Sequence, residues 1–200
     1  AAGMSGWSSF VSALHETVRN VFTDDPPQQA ELFRLAKEQH FREALDLLKA
    51  HPQLWAARDG NGHSLLHWAS LGGSVPFVSS ALAAGIPIDV QASSQQTPVM
   101  WAVCGGHVPM VKALLDADAD PLVRNATDET LLMIAVQHQK ADVMPLLVER
   151  GREALLGARD QNGCTAAHWA AHSGSASTLG FLESVGLDLH ALDGSRMSPL

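Results

Sequence analysis

The chain has 200 residues, 46% of them hydrophobic and 17% charged, a balance that suits a folded protein and excludes a disordered one. Its formal net charge is −8 with no block of lysine or arginine, which weighs against nucleic acid and against anionic membrane surfaces, since both are held by basic side chains. No run reaches the roughly 18 apolar residues of a membrane-spanning helix, no secretory leader pattern is seen, and Cys104 and Cys164 make no disulfide framework, so a reducing, cytoplasmic setting is expected.

In chain order, Ala1-Ala2-Gly3 ahead of Met4 reads as a cloning remnant (residues 1–3). Over 4–25, the apolar residues Trp7, Phe10, Val11, Leu14, Val18, Val21 and Phe22 recur at three- and four-residue steps, the period of one helix face. Asp24-Asp25-Pro26-Pro27 ends that pattern. The segment predicts an N-terminal capping helix laid over the first repeat; the other reading is a docking helix for a second protein.

From residue 28 onward one phrase returns: Ser/Thr, small or apolar, apolar, His/Met, Trp/Ile, Ala. It reads Ser64-Leu65-Leu66-His67-Trp68-Ala69, Thr97-Pro98-Val99-Met100-Trp101-Ala102, Thr130-Leu131-Leu132-Met133-Ile134-Ala135 and Thr165-Ala166-Ala167-His168-Trp169-Ala170, and a fifth copy opens at Ser198-Pro199-Leu200. The anchors step by 33, 33, 35 and 33 residues. This divides the chain into units of about 28–60, 61–93, 94–126, 127–161 and 162–194, with a further unit starting at 195–200, so a fragment of a longer protein is expected.

Each unit has a physical reading. The Ser/Thr anchor is a helix N-cap, and Pro98 and Pro199 come next, where a missing N–H costs nothing. Alanines 69, 102, 135 and 170 let neighbouring helices approach, and Gly72-Gly73, Gly105-Gly106 and Gly174 end the first helix. A second helix comes after it, carrying Val111, Leu114 and Leu115 in one unit and Val143, Leu146 and Leu147 in the next. Pro76 and Pro109 stand near its start; Pro145 sits a turn further in and should loosen that helix. Asp59-Gly60-Asn61-Gly62 and Asp160-Gln161-Asn162-Gly163 mark hairpin-like fingers between units. Subtracting one period places a first unit near Glu31. One helix pair cannot bury both its flanks, so the units must stack.

His63 and His67, and His168 and His172, are four apart, with Cys164 four before the second pair. A zinc site would need one continuous helix there. Cys164 and His63 precede the cap, so structural histidines are expected and metal is not. No Gly-rich phosphate loop, Gly-x-Ser-x-Gly elbow or nucleophile with an arranged base is visible, so no catalytic or cofactor-binding residue is expected. Trp68, Trp101 and Trp169 share one slot, filled by Ile134 in the fourth unit. They form a ladder whose indoles either pack between helices or present a face that clamps an extended segment.

The period and the phrase resemble the ankyrin repeat. That resemblance implies an all-α solenoid of helix-turn-helix units with short hairpin fingers, a consensus histidine that bridges adjacent units, and a concave groove for protein partners. The phrases 160–171 and Thr97-Pro98-Val99-Met100-Trp101-Ala102 are more specific. They resemble the N-terminal ankyrin region of the Asp-His-His-Cys protein S-acyltransferases (palmitoyltransferases), in which these repeats recruit substrates by short unstructured segments. That resemblance implies a non-catalytic, monomeric module at the cytosolic face of a Golgi-like endomembrane. Its protein-binding candidates are Trp68, Trp101, Trp169, Leu71, Asn61 and Gln96, with Trp101 as the anchor. Two features depart from the family: Leu71 stands where a polar residue would hold a peptide backbone, and the finger Asn125-Ala126-Thr127-Asp128 lacks glycine. A free-standing cytosolic adaptor or inhibitor is the alternative, and a small ligand or nucleotide stacked on the indoles a third reading that the acidic charge disfavours.

Overall fold

The computed structural model describes residues 27–200, so the expected capping helix over 4–25 lies outside the described residues. Within 27–200 the chain forms ten α-helices: α1 (Pro27–Lys37), α2 (Phe41–Ala50), α3 (Leu65–Leu71), α4 (Val75–Ala83), α5 (Pro98–Gly105), α6 (Val108–Asp116), α7 (Leu131–Gln137), α8 (Met144–Leu156), α9 (Ala166–His172) and α10 (Ala176–Ser184). Among the described residues the only β-type pairings are two isolated antiparallel bridges, Arg58 with Ser64 and Arg124 with Thr130, at the bases of fingers. The architecture is all-α, built of helix pairs, as the phrase predicts.

Ser64, Thr97, Thr130 and Thr165 each stand in extended conformation immediately before α3, α5, α7 and α9, the N-cap geometry the anchors require. Gly73, Gly106 and Gly174 take φ of 70°, 76° and 67° just past α3, α5 and α9; where no glycine is available, Gln39 and Gln139 adopt the same left-handed turn. Pro145 does not loosen a helix. Residues Ala141–Val143 form a short 3-10 turn and α8 starts at Met144, which puts the proline in the first turn, where it needs no N–H partner. The 35-residue step is absorbed here as well. α8 runs 13 residues, against 9 in α4, α6 and α10, and bends at Gly151.

The first helices stack in a row, α3 on α5, α5 on α7 and α7 on α9. Alanines 69, 102, 135 and 170 are all wholly buried, which is what permits that approach. The core runs through the row as a continuous band, with Leu66, Val99, Met100, Leu132, Met133 and Ala167 no more than 1% exposed. The fingers are tied tip to tip by single backbone bonds in constant register: Ser93 N–H to Asn61 O (3.2 Å), Ala126 to Ser94 (3.0 Å), Gln161 to Thr127 (3.1 Å) and Gly194 to Asn162 (2.9 Å). The missing glycine of the third finger is replaced by Asp128 itself, at φ 61°, in the slot that Gly62 and Gly163 fill at 78° and 74°.

Candidate partner-binding groove

The side of α3, α5, α7 and α9 that faces the fingers carries the tryptophan slots. Trp68 Nε1 donates to Asp59 Oδ2 (3.3 Å) and Trp169 Nε1 to Asp160 Oδ2 (3.1 Å), the aspartate in each case opening the finger that leads into the tryptophan's helix. Trp101 has Ala92 in that place, and its Nε1 donates to Gln96 Oε1 (3.2 Å) instead. Burial pushes the Asp59 carboxyl up, but the His63 ring and the N–H groups of His63 and Asn61 outweigh it and hold the group below the usual carboxylate range.

Exposure distinguishes the rungs of the ladder. Trp101 is 1% exposed and Gln96 3%, so neither offers a partner a surface. The expectation that Trp101 is the anchor is corrected accordingly. Its indole is enclosed by the preceding unit, with ring centres of His63 at 4.6 Å, Trp68 at 5.1 Å and His67 at 5.4 Å. Trp68 and Trp169 are each 7% exposed, Leu71 is half-buried and Asn61 exposed at its fingertip. Lys37 Nζ lies 5.1 Å from the Trp68 ring centre, a cation over an aromatic face.

His67 and His168 are structural. The Ser64 N–H donates to His67 Nδ1 (3.1 Å), which fixes the proton on Nε2, and Nε2 donates across to Gln96 O (2.9 Å) in the next unit. His168 repeats this with Thr165 N–H (3.0 Å) and Met197 O (3.0 Å). A further histidine that sequence reasoning passed over does the same work: His107 Nε2 donates to Leu71 O (2.9 Å). Its signal was its place directly after Gly105-Gly106, at the head of α6. No group of histidine, cysteine or carboxylate side chains among the described residues is arranged to hold a metal. Burial pushes the Cys164 thiol up to about 11 and Cys104 higher still, so neither is a thiolate nucleophile at neutral pH.

A family model described as ankyrin repeats (3 copies) matches residues 32–125 and 117–193. The chain belongs to the ankyrin-repeat family. No curated protein matches it. Ankyrin repeats are protein-interaction modules. One turn beyond each tryptophan slot, on the same helix face, stand Leu71, Cys104, Gln137 and His172. Leu71 and Gln137 are half-buried and His172 is exposed, its ring centre 6.5 Å from that of Trp169. Among the described residues no helix is long and apolar enough to cross a membrane.

Proposed function

We propose that this ankyrin array is a non-catalytic binding module that holds an extended segment of a partner protein along the inner helices, between their C-terminal ends and the fingertips. The observation that supports this reading is a contrast in exposure. Everything beneath the row is closed, down to 1% at Trp101, whereas Leu71, Gln137, His172 and the Asn61 fingertip stay accessible. Leu71, the edges of Trp68 and Trp169, and Asn61 are the contact residues; Trp101 and Gln96 act by holding the floor rigid. A photo-crosslinking residue at Leu71 or His172 should capture the partner, and the same residue at Ser79, exposed on α4, should not. Capture from Ser79 alone would move the binding surface to the outer helices.

The resemblance of residues 160–171 and 97–102 favours one parent for the module, a membrane-bound protein S-acyltransferase whose substrates the array recruits. Partners captured at Leu71 should then carry hydroxylamine-sensitive thioester-linked acyl chains after metabolic labelling with an alkynyl fatty acid. Partners without such chains would favour a cytosolic adaptor.

A further inference from the structure

The tryptophan ladder breaks at one rung, and the polar groups around it are rearranged. The fingers that lead into α3 and α9 open with an aspartate, Asp59 or Asp160, whose carboxylate serves the indole. In the finger that leads into α7 the opening place is taken by Asn125, whose Oδ1 accepts from the N–H groups of Thr127 (3.0 Å) and Glu129 (2.9 Å) and so performs the turn-closing part of that role. The carboxylate has moved four residues on, to Glu129. With Ile134 in the tryptophan slot there is no indole for it to bind.

Glu129 is 5% exposed. Its Oε2 accepts from Asn125 Nδ2 (2.6 Å) and its Oε1 from Gln137 Nε2 (2.8 Å). Both donors are neutral, and no cation contacts the carboxylate among the described residues. A buried carboxylate without a counter-charge is costly, and two donors fill only half of its acceptor sites. Gln137 is itself half-buried in the groove row, so the group that covers Oε1 is one that a partner in the groove would meet. A side-chain amide at a helix end can swing aside by rotation about its own torsions.

We infer that Glu129, behind Gln137, is a recognition site for a lysine or arginine side chain of the partner segment. The inference rests on the groove reading and adds the chemistry of its central rung. A cationic donor entering there would replace a neutral hydrogen bond with a charge-assisted one and supply the missing counter-charge. The chain's net charge of −8 favours the approach of a basic segment.

The test is a selection of random extended decapeptides on the full chain, with Glu129→Gln and Leu71→Arg as parallel targets. Peptides selected on the unaltered protein should carry Lys or Arg at one shared position and bind Glu129→Gln at least tenfold more weakly. Replacing that arginine by citrulline, which keeps the shape and removes the charge, should produce a similar loss on the unaltered protein. This second arm needs no variant to fold. Peptides lost on Leu71→Arg but bound equally by Glu129→Gln, or indifferent to citrulline, would overturn the Glu129 site and leave the groove reading standing. Peptides indifferent to both substitutions would overturn both.

Discussion

Trp68 and Trp101 meet edge to face across the seam between two units, ring centres 5.1 Å apart and planes at 79°. An aromatic pair in that geometry adds to its area burial, and here it is flanked by the His67 ring at 5.4 Å from Trp101. The pair joins the second unit to the third.

Removing one half of it should therefore show up in stability before it shows up in recognition. Trp101→Ala vacates a site 1% exposed and orphans Gln96 Oε1, so a loss of about 3–5 kcal/mol is expected. Urea unfolding followed by circular dichroism measures it. Partner binding at low temperature should fall only in proportion to the folded fraction. A stable variant that no longer binds would return Trp101 to the contact surface.

The third unit carries a defect that the second and fifth do not. Met100 replaces the bridging histidine, and Thr97 Oγ1, fully buried, is left without a hydrogen-bond partner. In the fifth unit the corresponding Thr165 Oγ1 is bonded to His168 Nδ1 at 2.9 Å. The same substitution should have opposite signs at the two sites. Thr97→Val removes an unpaired hydroxyl and should gain about 1 kcal/mol, whereas Thr165→Val breaks a made bond and should lose about 1 kcal/mol. Two melting curves decide it, and equal signs would refute the pairing.

How much of this was legible in the sequence depended on range. The anchors and the caps follow from local spacing, and the reach of His67 to the next unit is what the ankyrin resemblance implies. The depth of Trp101 did not follow. Slot identity says that Trp68, Trp101 and Trp169 point the same way, but how far each is covered depends on what the preceding unit places above it. Trp101 lies under both a histidine and a tryptophan, His63 and Trp68. The Glu129–Gln137 contact was hidden for a similar reason. Ile134 and Asn125 announce it only when read together, as a missing donor and a displaced carboxylate. Pro145 misled because a 3-10 turn shifted the start of α8 by one turn.

Stability should also fall in mild acid. Burial pushes the His67 imidazole down to about 4, against 6.5 for the free side chain. The unfolded chain thus takes up a proton at a pH where the folded chain does not. Unfolding is favoured progressively as pH drops from 6.5 to 4, and the contribution is fully retained above 6.5. The shift corresponds to about 3 kcal/mol at the acid end. Protonation there puts a hydrogen on Nδ1, facing the Ser64 N–H that now donates to it. Urea midpoints measured across that window should slope, and His67→Gln should flatten the slope while lowering the plateau. A slope unchanged by His67→Gln would assign the acid sensitivity to other groups.

At its Leu71 end the same seam depends on the absence of a side chain. A Cβ on Gly105 would lie 2.6 Å from His107 Cδ2 and 2.8 Å from Leu71 O, the very carbonyl that His107 Nε2 holds at 2.9 Å. The imidazole can turn away, but the Leu71 carbonyl is backbone and cannot. Gly105→Ala should consequently break the bond, push the ends of α3 and α5 apart and cost about 1–3 kcal/mol, even though alanine favours helices in general. Because Leu71 lies on the groove row, the displacement reaches the contact surface directly. Partner affinity should fall by more than the folded fraction explains, the reverse of the expectation for Trp101→Ala. Binding isotherms taken where both variants are fully folded separate the two, and a Gly105→Ala protein that binds normally would show that the groove tolerates movement at this seam.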